Sequence, residues 1–215
     1  MAYEVEQDRL RAMLPEGYES LRPVLRINAE VRGGNQCHVE LNTAVRHDGK
    51  RGWLNIAHWQ SPDDDIHFKH NGATTCFVAP FLRIAFTHTG IAGGCPAEHD
   101  NVAQSERRES SLSMPSRSNV TEGNDGCFFL TPEGERLRPT ETIASNKEFC
   151  DCDFRWLFTS SDASGRSIGK TLPAIPTPRQ NTYPLQALTA ENAAAIPCKQ
   201  LLGSYVVEFE RLNGS

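Results

Sequence analysis

The chain contains 215 residues, with 27 acidic and 22 basic side chains and a formal net charge of −5 at pH 7. That length suffices for one sizeable core, and barrels of this size are commonly undivided, so we expect a single domain over residues 1–215. The negative charge argues against a broad nucleic-acid surface. The amino terminus has no basic segment followed by an apolar run, and no run reaches membrane-spanning length, so we expect a cytoplasmic protein that binds neither nucleic acid nor membranes.

The first predicted element is a short helix near the amino terminus. Leu10, Met13 and Leu14 recur at helical spacing after Asp8, and Pro15 ends the pattern. We therefore expect one or two helical turns there.

Three runs with a period of two follow, at residues 24–31, 36–46 and 51–59, and each is typical of a strand with one apolar face. A three-residue loop at Gly33–Asn35 places Asn28 opposite Glu40, whereas a two-residue loop would place Asn28 opposite Val39, so we favour the longer loop. Asp48 and Gly49 form a favoured two-residue turn. The pairs predicted by that turn are Leu41 with Ile56, Asn42 with Asn55 and Thr43 with Leu54. The two turns together predict one antiparallel meander.

The rest of the chain continues the β pattern. Four more apolar runs occur, at Thr75–Phe86, Gly126–Leu130, Phe154–Phe158 and Gly203–Phe209. Thr189 is a candidate cap for a helix over Ala190–Ile196. We predict a mainly β (α+β) fold, an antiparallel β-barrel or strongly curled sheet with a few short helices. A serine-rich tract at about 100–125 is predicted to be a flexible loop or insertion.

The polar face of the meander is the candidate site. If the sheet curls so that this face points inward, its carboxylate, guanidinium and amides would line a pocket for a small anionic or carbonyl compound. The alternative is a solvated face, which antiparallel sheets often have. The residues assigned to this face are Arg26, Asn28, Glu40, Asn42, Asn55, Trp53 and Trp59.

Several segments resemble one known family in the same order along the chain. They are Asp8-Arg9-Leu10-Arg11, Leu14-Pro15-Glu16-Gly17, Pro23-Val24-Leu25-Arg26 and, near the other end, Ile196-Pro197-Cys198-Lys199. Together they resemble the acetoacetate decarboxylase-like superfamily. The resemblance implies that family's fold and places Glu40 at the position of its pocket glutamate.

The catalytic lysines of that family are missing from the matching segment. The decarboxylases carry two adjacent lysines after a proline, one of which forms a Schiff base with the substrate ketone. Here Pro80 is followed by Phe81 and Leu82, which cannot do that chemistry. Lys147 and Lys170, beside probable strands, are alternative amines, although a lone lysine near a loop is more often a solvated charge.

Cysteines offer a metal-binding alternative. Cys150 and Cys152, with Cys127 and seven histidines available, could supply zinc ligands. However, paired zinc cysteines are usually spaced by two to four residues, and both side chains would share one face of a strand, so an apolar core role is the simpler interpretation. We expect reduced thiols, no metal and no cofactor.

The leading hypothesis is a small-molecule enzyme, or a pocket protein derived from one, that acts on an organic acid or carbonyl compound without Schiff-base lysine chemistry. Arg26 would hold the anion, Glu40 would handle protons, and the three asparagines would orient the ligand. The reaction would be of the lyase, isomerase or hydrolase type. A non-catalytic ligand-binding or protein-interaction module is the competing hypothesis, followed by a zinc-binding protein. The sequence leaves open whether the chain forms a homo-oligomer.

Overall fold

The computed structural model describes residues 1–92, 126–138, 142–158 and 183–211. These residues contain two short α-helices, α1 (Gln7–Arg11) and α2 (Ala190–Ala194), and a 3-10 turn at Gly33–Asn35. The strands among them are β1 (Ala2–Glu4), β2 (Glu19–Arg32), β3 (Gln36–His47), β4 (Lys50–Gln60), β5 (His67–Asn71), β6 (Thr74–Ala79), β7 (Leu82–Ala92), β8 (Gly126–Thr131), β9 (Gly134–Arg138), β10 (Thr142–Trp156), β11 (Gln200–Gly203) and β12 (Tyr205–Arg211).

The strands form two sheets. The seven-stranded sheet has the order β11-β1-β2-β3-β4-β8-β9, and the five-stranded sheet has the order β12-β10-β7-β6-β5. Neighbouring strands are antiparallel, except that β4 and β8 are parallel. The predicted mainly β fold with a curled sheet and few short helices is therefore confirmed.

One hydrophobic cluster joins the two sheets. Alternate residues of β3, such as Val39 and Leu41, are fully buried in the same cluster as Ile84 of β7. Trp59 of β4 stacks on Phe81, between β6 and β7, with ring centroids 4.3 Å apart. Because each strand directs alternate side chains to opposite faces, the residues between these apolar positions lie on the other face of the seven-stranded sheet.

The β2–β3 hairpin has the predicted register. Arg26 pairs with Asn42, Asn28 with Glu40 and Glu30 with His38, as the three-residue loop required. In the β3–β4 hairpin, Asp48 (φ 48°) and Gly49 (φ 76°) both adopt positive φ, as a type I′ turn demands. This turn produces the expected pairs Asn42 with Asn55 and Thr43 with Leu54.

Other elements differ in extent from the predictions. The predicted run Thr75–Phe86 is two strands, because the backbone turns at Pro80 and Phe81. Strands β1, β5 and β9 are too short or too polar for the alternation to have shown them. Helix α2 begins where predicted, and the Thr189 hydroxyl accepts a hydrogen bond from the Asn192 amide at 3.1 Å.

Two predictions concern residues outside the described part of the chain. They are the loop or insertion at about 100–125 and the proposed alternative amine of Lys170. Within the described ranges, none of the helices has the length and apolar character needed to cross a membrane.

Candidate functional site

A chain of polar side chains crosses β3 and β4 on the face away from the shared core. His58 and Asn55 of β4 are joined by a 3.1 Å contact between His58 Nδ1 and Asn55 Oδ1. Asn55 Nδ2 donates to Asn42 Oδ1 at 2.9 Å. Asn42 Nδ2 in turn donates to Glu40 Oε2 at 3.2 Å. Four side chains thus form one connected network that ends at a carboxylate.

The orientation of the amides in this network is fixed by a backbone carbonyl. Asn55 Nδ2 also donates to the carbonyl oxygen of Ala57 at 3.1 Å, and a carbonyl can only accept. The Nδ2 group therefore faces Ala57 and Asn42, and Oδ1 faces His58, which must donate from Nδ1. The side-chain hydrogen bonds from His58 to Asn55, from Asn55 to Asn42 and from Asn42 to Glu40 consequently all run in the direction of Glu40.

The two amides at the centre of the network are removed from solvent. Asn42 is 0 % exposed and Asn55 is 4 % exposed, and the neighbouring indole of Trp53 is 5 % exposed. The Glu40 side chain retains 20 % exposure. A wet sheet face would leave its amides open to water, so the solvated-face alternative is wrong for these residues. Buried amides are retained where they are hydrogen-bonded, as they are here.

A guanidinium lies beside this network. Arg26 of β2 pairs with Asn42 on the neighbouring strand β3, and its Cζ is 3.8 Å from the centroid of the Trp53 ring. Arg22 also approaches the same ring, at 5.2 Å. A guanidinium stacked on an indole keeps its edge N–H groups directed sideways, which suits it to hold a carboxylate in a plane.

A β-bulge changes which β4 residues join this face. Leu41 pairs with Ala57 instead of Ile56, so Ile56 is the extra residue and the side-chain alternation of β4 reverses beyond it. Trp59 consequently lies opposite Val39 and packs into the core, so the prediction that Trp59 shares the polar face is wrong. His58, which a strict alternation along β4 would direct to the apolar side, lies opposite Glu40.

The thiol of Cys127 belongs to the same face. Its strand β8 lies beside β4, with Cys127 opposite Trp53, and Sγ is 3.9 Å from Asn42 Oδ1. Burial and the negative charge of Glu40 raise the pKa of this thiol to about 12, against a smaller opposing effect of Arg26 and Arg138. Cys127 is therefore a protonated, unreactive thiol at neutral pH.

Lys147 is not part of this cluster. It lies on β10 in the other sheet, on the face that also carries the exposed Asp151, and its Nζ is 4.0 Å from the centroid of the Tyr205 ring. The apolar core separates it from Glu40. The structure therefore does not bring Glu40 and Lys147, the two predicted catalytic residues, together. Lys147 and Cys150 are three positions apart on β10, so their side chains lie on opposite faces of the strand, and it is Cys150 that faces the core.

The segment that resembles the family's lysine-bearing motif is part of the core. Phe81 is stacked on Trp59, and Leu82 is 1 % exposed. Neither side chain carries a nitrogen, and both fill space between the sheets.

The cysteines predicted as alternative zinc ligands pack against apolar residues. Cys150 is buried and Cys152 is partly buried against the core, both on one face of β10. Burial raises the pKa of both thiols, that of Cys152 to about 12. Among residues 1–92, 126–138, 142–158 and 183–211, no group of three His, Cys, Asp or Glu side chains could hold a metal ion.

Two members of the site were missed by sequence reasoning. His58 needs the bulge at Ile56, and Cys127 needs the parallel pairing of β4 with β8. The sequence contains a weak signal for the position of His58, since a strict alternation along β4 would have buried its imidazole in an aliphatic layer. The second involves strands far apart in the chain and has no local signal.

The fold is similar to those of solved decarboxylases. No protein-family model matches the chain, and no curated protein matches it. Acetoacetate decarboxylase from Legionella pneumophila superposes with a TM-score of 0.55 and 13 % identity, covering 97 % of this chain and 78 % of that one. Another acetoacetate decarboxylase structure superposes with a TM-score of 0.52 and 11 % identity, covering 99 % of this chain and 84 % of that one. The enduracididine biosynthesis enzyme MppR, complexed with pyruvate, superposes with a TM-score of 0.44 and 12 % identity, covering 78 % of each chain.

The chain therefore has the acetoacetate decarboxylase-like fold that its sequence resemblance implied. Identities of 11–13 % support the fold alone, and a fold hosts many activities.

Proposed function

We propose that this chain, built on the acetoacetate decarboxylase-like fold, is a small-molecule enzyme or an enzyme-derived pocket protein that acts on an organic acid or carbonyl compound. The reaction is of the lyase, isomerase or hydrolase type and uses no Schiff-base lysine. The observation that supports this most directly is the network of buried amides that ends at Glu40, on the sheet face that also carries the Arg26 guanidinium. A carboxylate held by a fixed amide donor, on the same sheet face as a planar cation, is suited to proton transfer on a bound anion.

The roles within the site follow from which polar atoms are already used. Both N–H groups of Asn55 are engaged by protein acceptors, and Asn42 has no exposed surface. These two amides position Glu40 and do not touch the ligand. Arg26, Asn28 and Glu40 are only partly buried, so they are the proposed ligand contacts.

Ligand binding tests the pocket. Because a ligand that binds the native state raises its apparent stability, sodium pyruvate, acetoacetate and acetate are added to the protein and thermal unfolding is followed. We expect at least one of the oxo acids to raise the unfolding temperature, and R26M to lose that rise. R83Q is the control, since Arg83 is an exposed arginine of the other sheet and its removal changes the net charge equally. Equal shifts in wild type and R26M, or none with any of the three, would contradict the proposal.

Turnover separates an enzyme from a binding module. With an oxo acid that binds, E40Q is expected to lose turnover by about 10²-fold or more, since it removes the proton acceptor, while it still unfolds cooperatively. The control is E16Q, which changes an exposed turn residue. If wild type and E40Q bind the compound equally and neither converts it, the non-catalytic alternative is correct.

A further inference from the structure

His38 faces Oε1 of Glu40, the carboxylate oxygen that does not accept the hydrogen bond from Asn42. Its Nε2 lies 3.6 Å from Glu40 Oε1, while Asn42 occupies Oε2. The His38 side chain is 12 % exposed and lies on β3, two positions before Glu40 on the same face. The carboxylate is thus flanked by an imidazole and an amide.

The protonation of the His38 ring is set from its other side. Arg32 Nη2 lies 3.1 Å from His38 Nδ1, and because a guanidinium can only donate, Nδ1 must be the accepting nitrogen. The ring proton is then on Nε2, which faces Glu40. Arg32 is held in place by Glu30, whose Oε2 accepts from Arg32 Nε at 3.0 Å and from Nη2 at 2.7 Å.

The other charged or titratable groups around this ring do not change that assignment. Glu30 Oε2 is 3.7 Å from Nδ1, farther than the Arg32 nitrogen, and the ring of His58 on β4 lies 6.2 Å away. Donor N–H groups therefore approach Glu40 from both directions, from Arg32 through His38 and from Asn55 through Asn42. A carboxylate accepts at both oxygens, whereas a protonated carboxyl group would set its own O–H against one of these donors.

We propose that His38 is a positioning residue that holds Glu40 as a carboxylate, so that Glu40 accepts a proton in the first chemical step. The inference rests on the proposed function, and it adds a direction to the proton transfer. A bond from hydrogen to carbon or oxygen of the substrate breaks, the new O–H bond forms on Glu40, and the electron pair stays on the substrate.

The arrangement makes the substitution E40Q informative. If the new amide oxygen accepts from Asn42, its NH2 group faces the His38 Nε2–H, and two donors oppose each other. Turning the amide over moves the same conflict to Asn42. The imidazole can relieve it only by moving its proton to Nδ1, which disrupts the contact with Arg32.

Histidine tautomers are read directly from long-range 1H–15N spectra of the full 15N-labelled chain at pH 7. In wild type we expect His38 to carry its proton on Nε2 and His58 to carry its proton on Nδ1, two opposite signatures in one spectrum. E40Q and R32M should each shift His38 toward the Nδ1–H form, while E16Q and R83Q should leave it unchanged. A wild-type His38 protonated on Nδ1, or a His38 signature that E40Q and R32M leave unchanged, overturns the proposal.

Unfolding in urea provides a second measurement. Introduced alone, E40Q should lower the midpoint of urea unfolding. In a chain that also carries H38L, at least half of that decrease should disappear, because the opposing His38 Nε2–H donor is gone. H38Q serves the same purpose if H38L does not fold, since its amide can present either end to position 40. An undiminished decrease in both backgrounds overturns the proposal. Neither measurement needs a ligand, so a failure of the proposed function would leave these results unchanged.

Discussion

The close approach of β4 and β8 predicts that Gly52 cannot be replaced by alanine. A Cβ at position 52 would lie 2.5 Å from the carbonyl oxygen of Gly126 and 2.9 Å from Cε2 of Phe128. The first neighbour is backbone, so relief requires β8 to move away as a whole. The contact between the two strands consists of three residue pairs, from Gly52 with Gly126 to Leu54 with Phe128.

The magnitude follows from these contacts. Forcing a methyl group into a packed site costs ~1–3 kcal/mol. A displacement of ~0.5–1 Å forfeits a quarter to a half of each dispersion contact across the pair of strands. Burial of an aromatic side chain contributes ~1.5–3 kcal/mol to stability. Phe128 is 1 % exposed, so a partial loss of its burial costs a further ~1 kcal/mol. We expect G52A to lose ~3 kcal/mol of unfolding free energy, which is a fall of ~6–12 °C in Tm for a chain of this length.

Urea denaturation followed by tryptophan fluorescence, together with a thermal scan, measures both quantities. The matched control is G33A, because a Cβ at Gly33 meets nothing within 4 Å and the residue has no left-handed φ. G33A should remain within ~0.5 kcal/mol of wild type. If G52A is as stable as G33A, the parallel pairing of β4 with β8 is wrong, and with it the placement of Cys127 beside the candidate site.

Three further predictions concern helix α2 and the half-buried thiol of Cys127. T189A should lose ~1 kcal/mol of unfolding free energy, because the Asn192 amide loses its hydrogen-bond acceptor. T189S should retain that hydrogen bond and the stability that goes with it. Equal thermal stability of the two variants would contradict this prediction. Iodoacetamide at pH 8 should alkylate Cys127 at least about tenfold more slowly than the exposed Cys198, because the thiolate is the reactive form; mass spectrometry showing equal rates would contradict the burial. Since burial raises the pKa of Cys127 from an ordinary 9.0 to about 12, the unfolded chain ionises first, and stability should fall as pH rises above about 9, by less in C127S than in wild type.

Much of the meander was predictable because local chemistry sets its register. Asp48 and Gly49 tolerate the positive φ values of a tight turn, and polar residues opposite polar residues selected the three-residue loop at Gly33–Asn35. The assignment of Arg26, Asn42, Asn55 and Trp53 to one face followed from those turns. The site roles given to them remain predictions that the proposed experiments test.

The bulge at Ile56 was not predictable in the same way. It reverses the alternation of β4, so that Trp59 packs on Phe81 and His58 contacts Asn55. A bulge is selected by which side chains the neighbouring layers can accommodate, and that information is not local.

The amino-acid sequence by itself determined the strand periodicity, the two hairpin turns and the cap at Thr189, because these depend on backbone preferences and on neighbours a few residues away. Only the tertiary structure decided that Asn42, Asn55 and Trp53 of the polar face are buried. It also decided that Cys127 reaches that face from β8, and that Lys147 lies in the other sheet from Glu40. Burial and long-range strand pairing depend on surfaces brought together by the whole fold, and side chains far apart in the chain carry no local record of that proximity.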